Sequence, residues 1–263
     1  MTLNFFDDVF SMVESNFVDN FSTYQNVVRP SYVLETPYRE LLVAVARGDG
    51  KMYSAIRKAK LSESAGERIV AELVSLKILN IEYSREAPLK HHPKHKLKKE
   101  QRTYRIQDKL RFVKPFMRFW FGFVDYYSKQ LTLGEGEKFL ENFQKNYERL
   151  RSLVYEQLSN ALLLQHYAGQ IDIISSGTYW NIYSEFDILL ISNKRKIILG
   201  ECKYKDRKVC KNELSKLQSK ALASGIKVDV YVLFSKSGFS KELKNMQSDT
   251  LLLFDLDDLA LLY

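Results

Sequence analysis

The sequence is poor in cysteine, proline and glycine. Two cysteines, Cys202 and Cys210, in 263 residues are too few to staple a secreted scaffold. Five prolines and eleven glycines leave no long linker or low-complexity tract. No apolar run is long enough to span a bilayer; the longest, residues 119–124, is bounded by Arg118 and Asp125, and membrane insertion is not expected. Residues 1–10 carry Asp7 and Asp8 and lack a basic stretch followed by an apolar one, so a signal peptide is not expected and a cytoplasmic location is. There is no Gly-x-x-x-x-Gly-Lys-Ser/Thr. Gly48-Asp49-Gly50-Lys51 lacks the upstream glycine and continues into Met52, so nucleotide binding is not expected.

Positive charge is present, and it is localised. The net charge is +8, yet twelve Lys or Arg against three acids fall between Arg85 and Arg118, leaving the rest close to neutral. Localised cations are the footprint of a polyanion partner, because each phosphate contact releases condensed counterions; the alternative is a solvated loop. The expectation is a nucleic acid, duplex DNA, held by Lys90, Lys94, Lys96, Lys98, Lys99 and Arg102. His91, His92 and His95 lie in the same stretch but lack a Cys or acid at ligand spacing, so a polar loop is expected there rather than a metal site.

Hydropathy patterning separates four regions: 1–36, a helical segment; 37–107; 108–133; and 134–263. Helices are expected at 38–47, ended by Gly48-Asp49-Gly50, at 52–59, and from an N-cap at Ser62 to Leu76. Strands at 78–83 and 103–106 follow, joined by the basic loop. That succession is what a winged helix-turn-helix requires, with the helix after Ser62 as recognition helix and 85–102 as an enlarged wing. Region 108–130 is crowded with Phe112, Phe116, Phe119, Trp120, Phe121, Phe123, Tyr126 and Tyr127. Beside Lys114 and Arg118 these rings could stack on bases; a helix apolar on most sides is more commonly buried, here between domains, and burial is the expectation. In the last region a long amphipathic helix at 137–164 precedes strands at 171–175, 183–191 and 196–204, a helix at 211–224 and a strand at 228–234. A right-handed crossover through the second helix leaves a mixed sheet, with 251–254 as an edge strand and 257–262 as a closing turn or helix.

Chemistry concentrates on two of those strands. Asp187 is followed, after thirteen intervening residues, by Glu201-Cys202-Lys203. Alternate strand residues share a face, so Glu201 and Lys203 point together and Cys202 points away, packing as a small apolar residue. A hairpin centred on Lys194, with three or five loop residues, sets Asp187 opposite Glu201. A two-residue Asn193-Lys194 turn puts the carboxylates on opposite faces instead. The catalytic reading therefore predicts an odd loop. Two carboxylates and an ammonium suit phosphodiester hydrolysis with Mg²⁺ or Mn²⁺ on Asp187 and Glu201, and Lys203 orienting water or adding positive charge. Glu156, on the preceding helix, supplies a third acid, and Glu185 a spare one. The bare acid-x-Lys triple recurs at Asp49-Gly50-Lys51, Asp206-Arg207-Lys208 and Glu242-Leu243-Lys244. What distinguishes Glu201 is the apolar run Ile197-Ile198-Leu199-Gly200 before it; the alternative reading is cross-strand charge pairing on an exposed face. His166 is isolated and reads as structural.

The segments Gly177-Thr178-Tyr179-Trp180, Glu185-Phe186-Asp187, Gly200-Glu201-Cys202-Lys203 and Phe234-Ser235-Lys236-Ser237-Gly238-Phe239 resemble the C-terminal domain of unknown function of archaeal-type P-loop ATPases. The stretch from Tyr104-Arg105-Ile106 to Phe119-Trp120-Phe121 is similar to that family's middle part. The resemblance implies a winged helix between an ATPase domain and a domain similar to the PD-(D/E)XK nuclease superfamily, with its helix–three strands–helix–strand core. It implies active-site positions at Asp187, Glu201 and Lys203, and at Glu156 on the first helix. The P-loop domain is absent from this chain, which implies either a stand-alone derivative or an accessory subunit of a separate ATPase. The fold class expected is thus α/β (α+β): a winged helix-turn-helix joined by an aromatic helical segment to a restriction-endonuclease-like domain with a central mixed sheet. Three functions remain in view: a DNA-binding, Mg²⁺-dependent nuclease, an inactive DNA-binding or adaptor protein, and an ATPase accessory subunit. Pairing of two copies is open.

Overall fold

The computed structural model describes residues 8–86, 96 and 104–262, with Arg149 described by its backbone alone. The described residues of Met1–Ser84 with Gln107–Tyr147 form one compact unit, and those of Arg85–Ile106 with Glu148–Tyr263 a second.

In the first unit, helix α1 (Val9–Phe17) starts at Asp8, whose carboxylate accepts the Phe10 and Ser11 backbone N–H groups at 2.9 Å, relieving two of the orphan donors of a helix start. Helix α2 (Phe21–Gln25) and a 3₁₀ turn (Ser31–Leu34) follow. Three helices then pack together: α3 (Tyr38–Arg47), α4 (Met52–Lys58) and α5 (Glu63–Ser75). Ser62 caps α5 by accepting from the Ala65 N–H. Leu41, Leu42, Ile56 and Leu73 are wholly buried among them. At Gly66 a Cβ would lie 2.5 Å from Ile56 Cγ2, so the approach of α4 to α5 depends on the missing side chain.

Strand β1 (Leu79–Glu82) pairs antiparallel with β2 (Lys109–Phe112), Ile81 opposite Leu110. The strand expected at 103–106 is therefore displaced: Tyr104–Ile106 carry none. The 109–112 stretch wins because it is held on both sides. Arg111 Nε donates to Glu82 Oε2 at 2.7 Å, while the Leu110 N–H donates to the Gly50 carbonyl at 2.7 Å. The aromatic stretch is not one helix but α6 (Pro115–Phe119), a π-helical turn (Trp120–Val124), a 3₁₀ turn (Asp125–Tyr127) and α7 (Ser128–Thr132). Its rings lie within the first unit rather than forming a separate connector: Trp120 stacks on Phe21 at 5.6 Å and Phe119 meets Phe17 at 4.8 Å. Buried Asp125 forms an ion pair with Arg39 at 2.7 Å and accepts a hydrogen bond from Arg39 Nε on Oδ1 at 3.2 Å, tying the stretch to α3. Burial raises that carboxyl despite the guanidinium beside it.

Helix α8 (Glu137–Tyr167) is 31 residues long. Through Tyr147 it belongs to the first unit, where Phe139 and Phe143 join the aromatic core. Its later turns cover the sheet of the second unit.

That sheet has five strands in the order β3-β6-β7-β8-β9: β3 (Ile173–Ser175), β6 (Ile188–Ser192), β7 (Ile197–Lys203), β8 (Val230–Ser235) and β9 (Leu251–Phe254). A two-stranded ribbon, β4 (Tyr179–Trp180) with β5 (Glu185–Phe186), stands beside it. The strand expected over 183–191 is split at Asp187, between β5 and β6. β6 and β7 are antiparallel, β7–β8 and β8–β9 parallel, so the sheet is mixed. Helix α9 (Lys211–Ala223) makes the crossover from β7 to β8, and α10 (Lys241–Asn245) precedes β9. Tyr155, Leu162 and Leu163 of α8 pack on Ile188, Leu190, Ile198 and Phe234. Leu214, Leu217 and Ala221 of α9 pack on the opposite face, with Leu189, Leu199 and Leu233. The face α8 covers is tightly packed at Gly200, where a Cβ would meet Ile188 Cβ at 3.1 Å. Arg85, which reads in sequence as part of the basic loop, is instead a clamp. Its guanidinium donates to Ser175 Oγ and to the carbonyls of Leu189, Gly177 and Thr178 at 2.7–3.0 Å. No described helix is long and apolar enough to cross a membrane.

Candidate functional site

The β6–β7 hairpin decides whether the two acids meet. Ile191 pairs with Ile197 and Ile188 with Gly200, and the Ser192 N–H donates to the Lys196 carbonyl at 3.0 Å. The loop is therefore Asn193-Lys194-Arg195, three residues, with Arg195 in the left-handed region at φ 59°. This is the three-residue hairpin geometry that needs a left-handed last position. Continuing the register by one step sets Asp187 opposite Glu201.

At that point the pairing opens. Asp187 Oδ2 accepts the Cys202 backbone N–H at 2.7 Å. Glu201, 8% exposed, accepts from Lys203 Nζ at 2.6 Å and lies 3.4 Å from Lys220 Nζ. Asp187, Glu201, Lys203 and Glu156 all line one cavity of about 240 Å³, with Ser152, Tyr155, Cys202, Tyr204 and Lys205 completing it. Glu185, the spare acid, is exposed on β5 opposite Trp180 and lines no part of it.

The electrostatics follow from burial. Burial and the neighbouring Glu201 charge push the Asp187 carboxyl up to about 6, against the Cys202 N–H and the charges of Lys203 and Lys220. Burial alone would lower the Lys203 ammonium; the Glu201 hydrogen bond and the charges of Glu201, Asp187 and Glu213 outweigh it, and the group is raised. Cys202 points to the α8 side, where burial raises its thiol. The Tyr155 hydroxyl is buried without a hydrogen-bond partner among the described residues.

Among the described residues no three His, Cys, Asp or Glu side chains converge as a ready-made metal cage. Asp187 and Glu201 nevertheless fit a hard cation that keeps most of its waters, since Mg²⁺ is commonly held by one or two carboxylates. The fit rests on the register that sets the two carboxylates opposite each other on one cavity; a divalent charge would relieve the crowding that raises the Asp187 carboxyl.

Elsewhere the expected residues fare differently. Of the basic-loop lysines and arginine, Lys96 is described and exposed; Lys90, Lys94, Lys98, Lys99 and Arg102, like His91, His92 and His95, lie outside the described residues. Helix α5 is acidic, with Glu63, Glu67 and Glu72 against Arg68. Tyr53 bonds Glu67, and Tyr32 and Tyr38 both bond Glu72. His166 packs edge-on against Phe254 at 5.3 Å. Sequence reasoning missed Lys220 and Glu213. Their signal was the spacing of Glu213, Leu217 and Lys220 along one face of α9, which places the acid and the amine beside Lys203 and Glu201.

The model of a family described as archaeal and bacterial proteins of unknown function matches residues 120–217. That stretch includes Glu156, Asp187, Glu201 and Lys203. No curated protein and no solved structure matches the chain.

Proposed function

We propose that the protein is a DNA-binding, Mg²⁺- or Mn²⁺-dependent phosphodiesterase of the PD-(D/E)XK type, its β1–β2 helical unit a winged helix. The observation that carries the reading is the three-residue hairpin, because an even loop would separate Asp187 from Glu201. A bound divalent cation would supply Lewis acidity and a water of lowered pKa. Asp187 and Glu201 would hold that cation. Lys203, anchored to Glu201 at 2.6 Å, keeps a positive charge at the cavity where the phosphate oxygens gain negative charge in the transition state. Glu156, which lines the same cavity, adds a third acid.

The test is cleavage of plasmid DNA by the full chain in Mg²⁺ or Mn²⁺. Asp187→Ala and Lys203→Ala are expected to lose about a hundredfold or more of the wild-type rate, the usual cost of removing one charge-stabilising group. Equal residual cleavage by all three proteins would mean a contaminant and would end the proposal.

A second reading is favoured by one observation: two ammonium groups already engage Glu201, which suits a site that no longer takes a cation. The protein would then be a DNA-binding or adaptor protein, or an accessory subunit of a separate ATPase. Salt-sensitive DNA binding without metal-dependent hydrolysis is its signature.

A further inference from the structure

Beside the carboxylate cavity lies a second one, of about 210 Å³, lined by Lys203, Lys205, Arg207, Lys208, Val209, Cys210, Asn212, Glu213 and Lys216. Five cations thus surround it, against the single carboxylate of Glu213. That carboxylate is already engaged, by Lys216 at 2.9 Å and Lys203 at 3.8 Å. Their charges hold it below the usual carboxylate range, the Lys216 hydrogen bond first. Among the described residues neither Arg207 nor Lys208 forms an ion pair, and both are exposed.

Gathering like charges around a hollow disfavours the folded state unless an anion offsets them. The hollow has room for a phosphate group and several waters, at about 30 Å³ per water. It also adjoins the candidate active site, since Lys203 and Lys205 line both cavities.

We infer that this cavity is a seat for the DNA backbone: it holds a phosphate next to the one presented to Asp187, Glu201 and Lys203. The inference rests on the phosphodiesterase reading and adds where the polyanion is gripped. Arg207 and Lys208 are the cations that grip it. The seat lies on the segment between β7 and α9, within the second unit, and the acidic character of α5 agrees with backbone contacts being made there.

The experiment is fluorescence anisotropy of a fluorescein-labelled duplex with the full chain in EDTA, so that no hydrolysis intervenes, titrated between about 0.05 and 0.2 M NaCl. Each phosphate contact contributes roughly −0.9 to the slope of log K against log salt, so Arg207→Ala/Lys208→Ala should flatten the slope by about two. On the same relation it should weaken binding roughly sixtyfold at about 0.1 M salt. Arg207→Lys/Lys208→Arg should restore both. Thermal melting of the double alanine variant without DNA should be no lower than wild type, since both side chains are exposed and their removal relieves like-charge repulsion. An unchanged affinity and slope would overturn the inference, as would failure of the wild type to bind duplex. Asp187→Asn separates the two claims: it should bind at least as tightly as wild type while failing to cleave. If the wild type never cleaves but the double variant loses binding, the seat stands and the hydrolytic reading falls.

Discussion

Asp187→Asn should stabilise the metal-free protein at neutral pH. In the folded chain the Asp187 carboxyl titrates near 6 rather than 3.8, because burial and Glu201 disfavour its charge. A folded-state pKa above the unfolded one means that the native state binds the proton more tightly. Stability is unaffected below about pH 4, falls as pH rises between about 4 and 6, and carries the full deficit above that. A carboxyl moved from 3.8 to about 6 carries a deficit on the order of 3 kcal/mol at pH 7. Asn is uncharged, and its side-chain carbonyl can still accept the Cys202 N–H that Asp187 accepts at 2.7 Å. The variant removes the repulsion and keeps the hydrogen bond. At about 2–4 °C per kcal/mol for a chain of this size, the gain reaches roughly 6–12 °C at the upper limit. The assay is thermal unfolding in EDTA from acid to neutral pH, wild type against variant. The difference should vanish near pH 4, grow to a plateau by pH 7, and shrink when Mg²⁺ is added to the wild type. A variant that melts at or below the wild type at pH 7, with no dependence of the difference on pH, would refute the crowding of the two acids.

Two further substitutions test the scaffold. Arg85→Ala leaves the Ser175 hydroxyl and the carbonyls of Leu189, Gly177 and Thr178 without their shared donor. Charged hydrogen bonds contribute about 1.5–3 kcal/mol each without adding fully, so a loss of several kcal/mol is expected in urea unfolding, and under about 1 kcal/mol would reduce the clamp to a surface contact. Gly66→Ala drives a methyl into Ile56, whose Cγ2, Cγ1 and Cδ1 would lie 2.5, 2.6 and 2.8 Å away; overpacking of this kind costs about 1–3 kcal/mol, and the double variant with Ile56→Ala, which removes all three atoms, should lose less stability than the sum of the two single variants in the same measurement.

Much of the second unit was legible because its strands announce themselves. The apolar runs of β6, β7 and β8 are buried on both faces, as a parallel or central strand requires, and the crossover helix ends at a glycine, Gly225. The register was legible only as a choice between odd and even loops. What settles it is Arg195 at φ 59°, and an arginine gives no advance sign of a left-handed position as glycine or asparagine would. The misplaced strand has a similar cause. Residues 103–106 and 109–112 are both short and mixed in polarity, and the deciding contacts, Gly50 to Leu110 and Glu82 to Arg111, join positions far apart in sequence. Arg85 was hidden by its setting, since a cation heading a basic run reads as one more solvated charge.

The charge arrangement around Glu201 ties the two readings of the site to one physical quantity. In the metal-free chain Lys203 and Lys220 supply the positive charge that Glu201 needs, while Asp187 has a single backbone N–H and is crowded. A divalent cation binding between the acids would serve Asp187 and compete with the amines for Glu201. Lys220 is the ammonium more easily released: it lies 3.4 Å from Glu201 against 2.6 Å for Lys203, and its side chain is 40% exposed. A site built to work with a cation therefore has one firm amine, which stays for chemistry, and one loose amine, which can swing into solvent. A site that has abandoned the cation would have no need of a crowded, half-compensated Asp187. The asymmetry between the two lysines, with the strain left on Asp187, weighs toward the cation-binding reading.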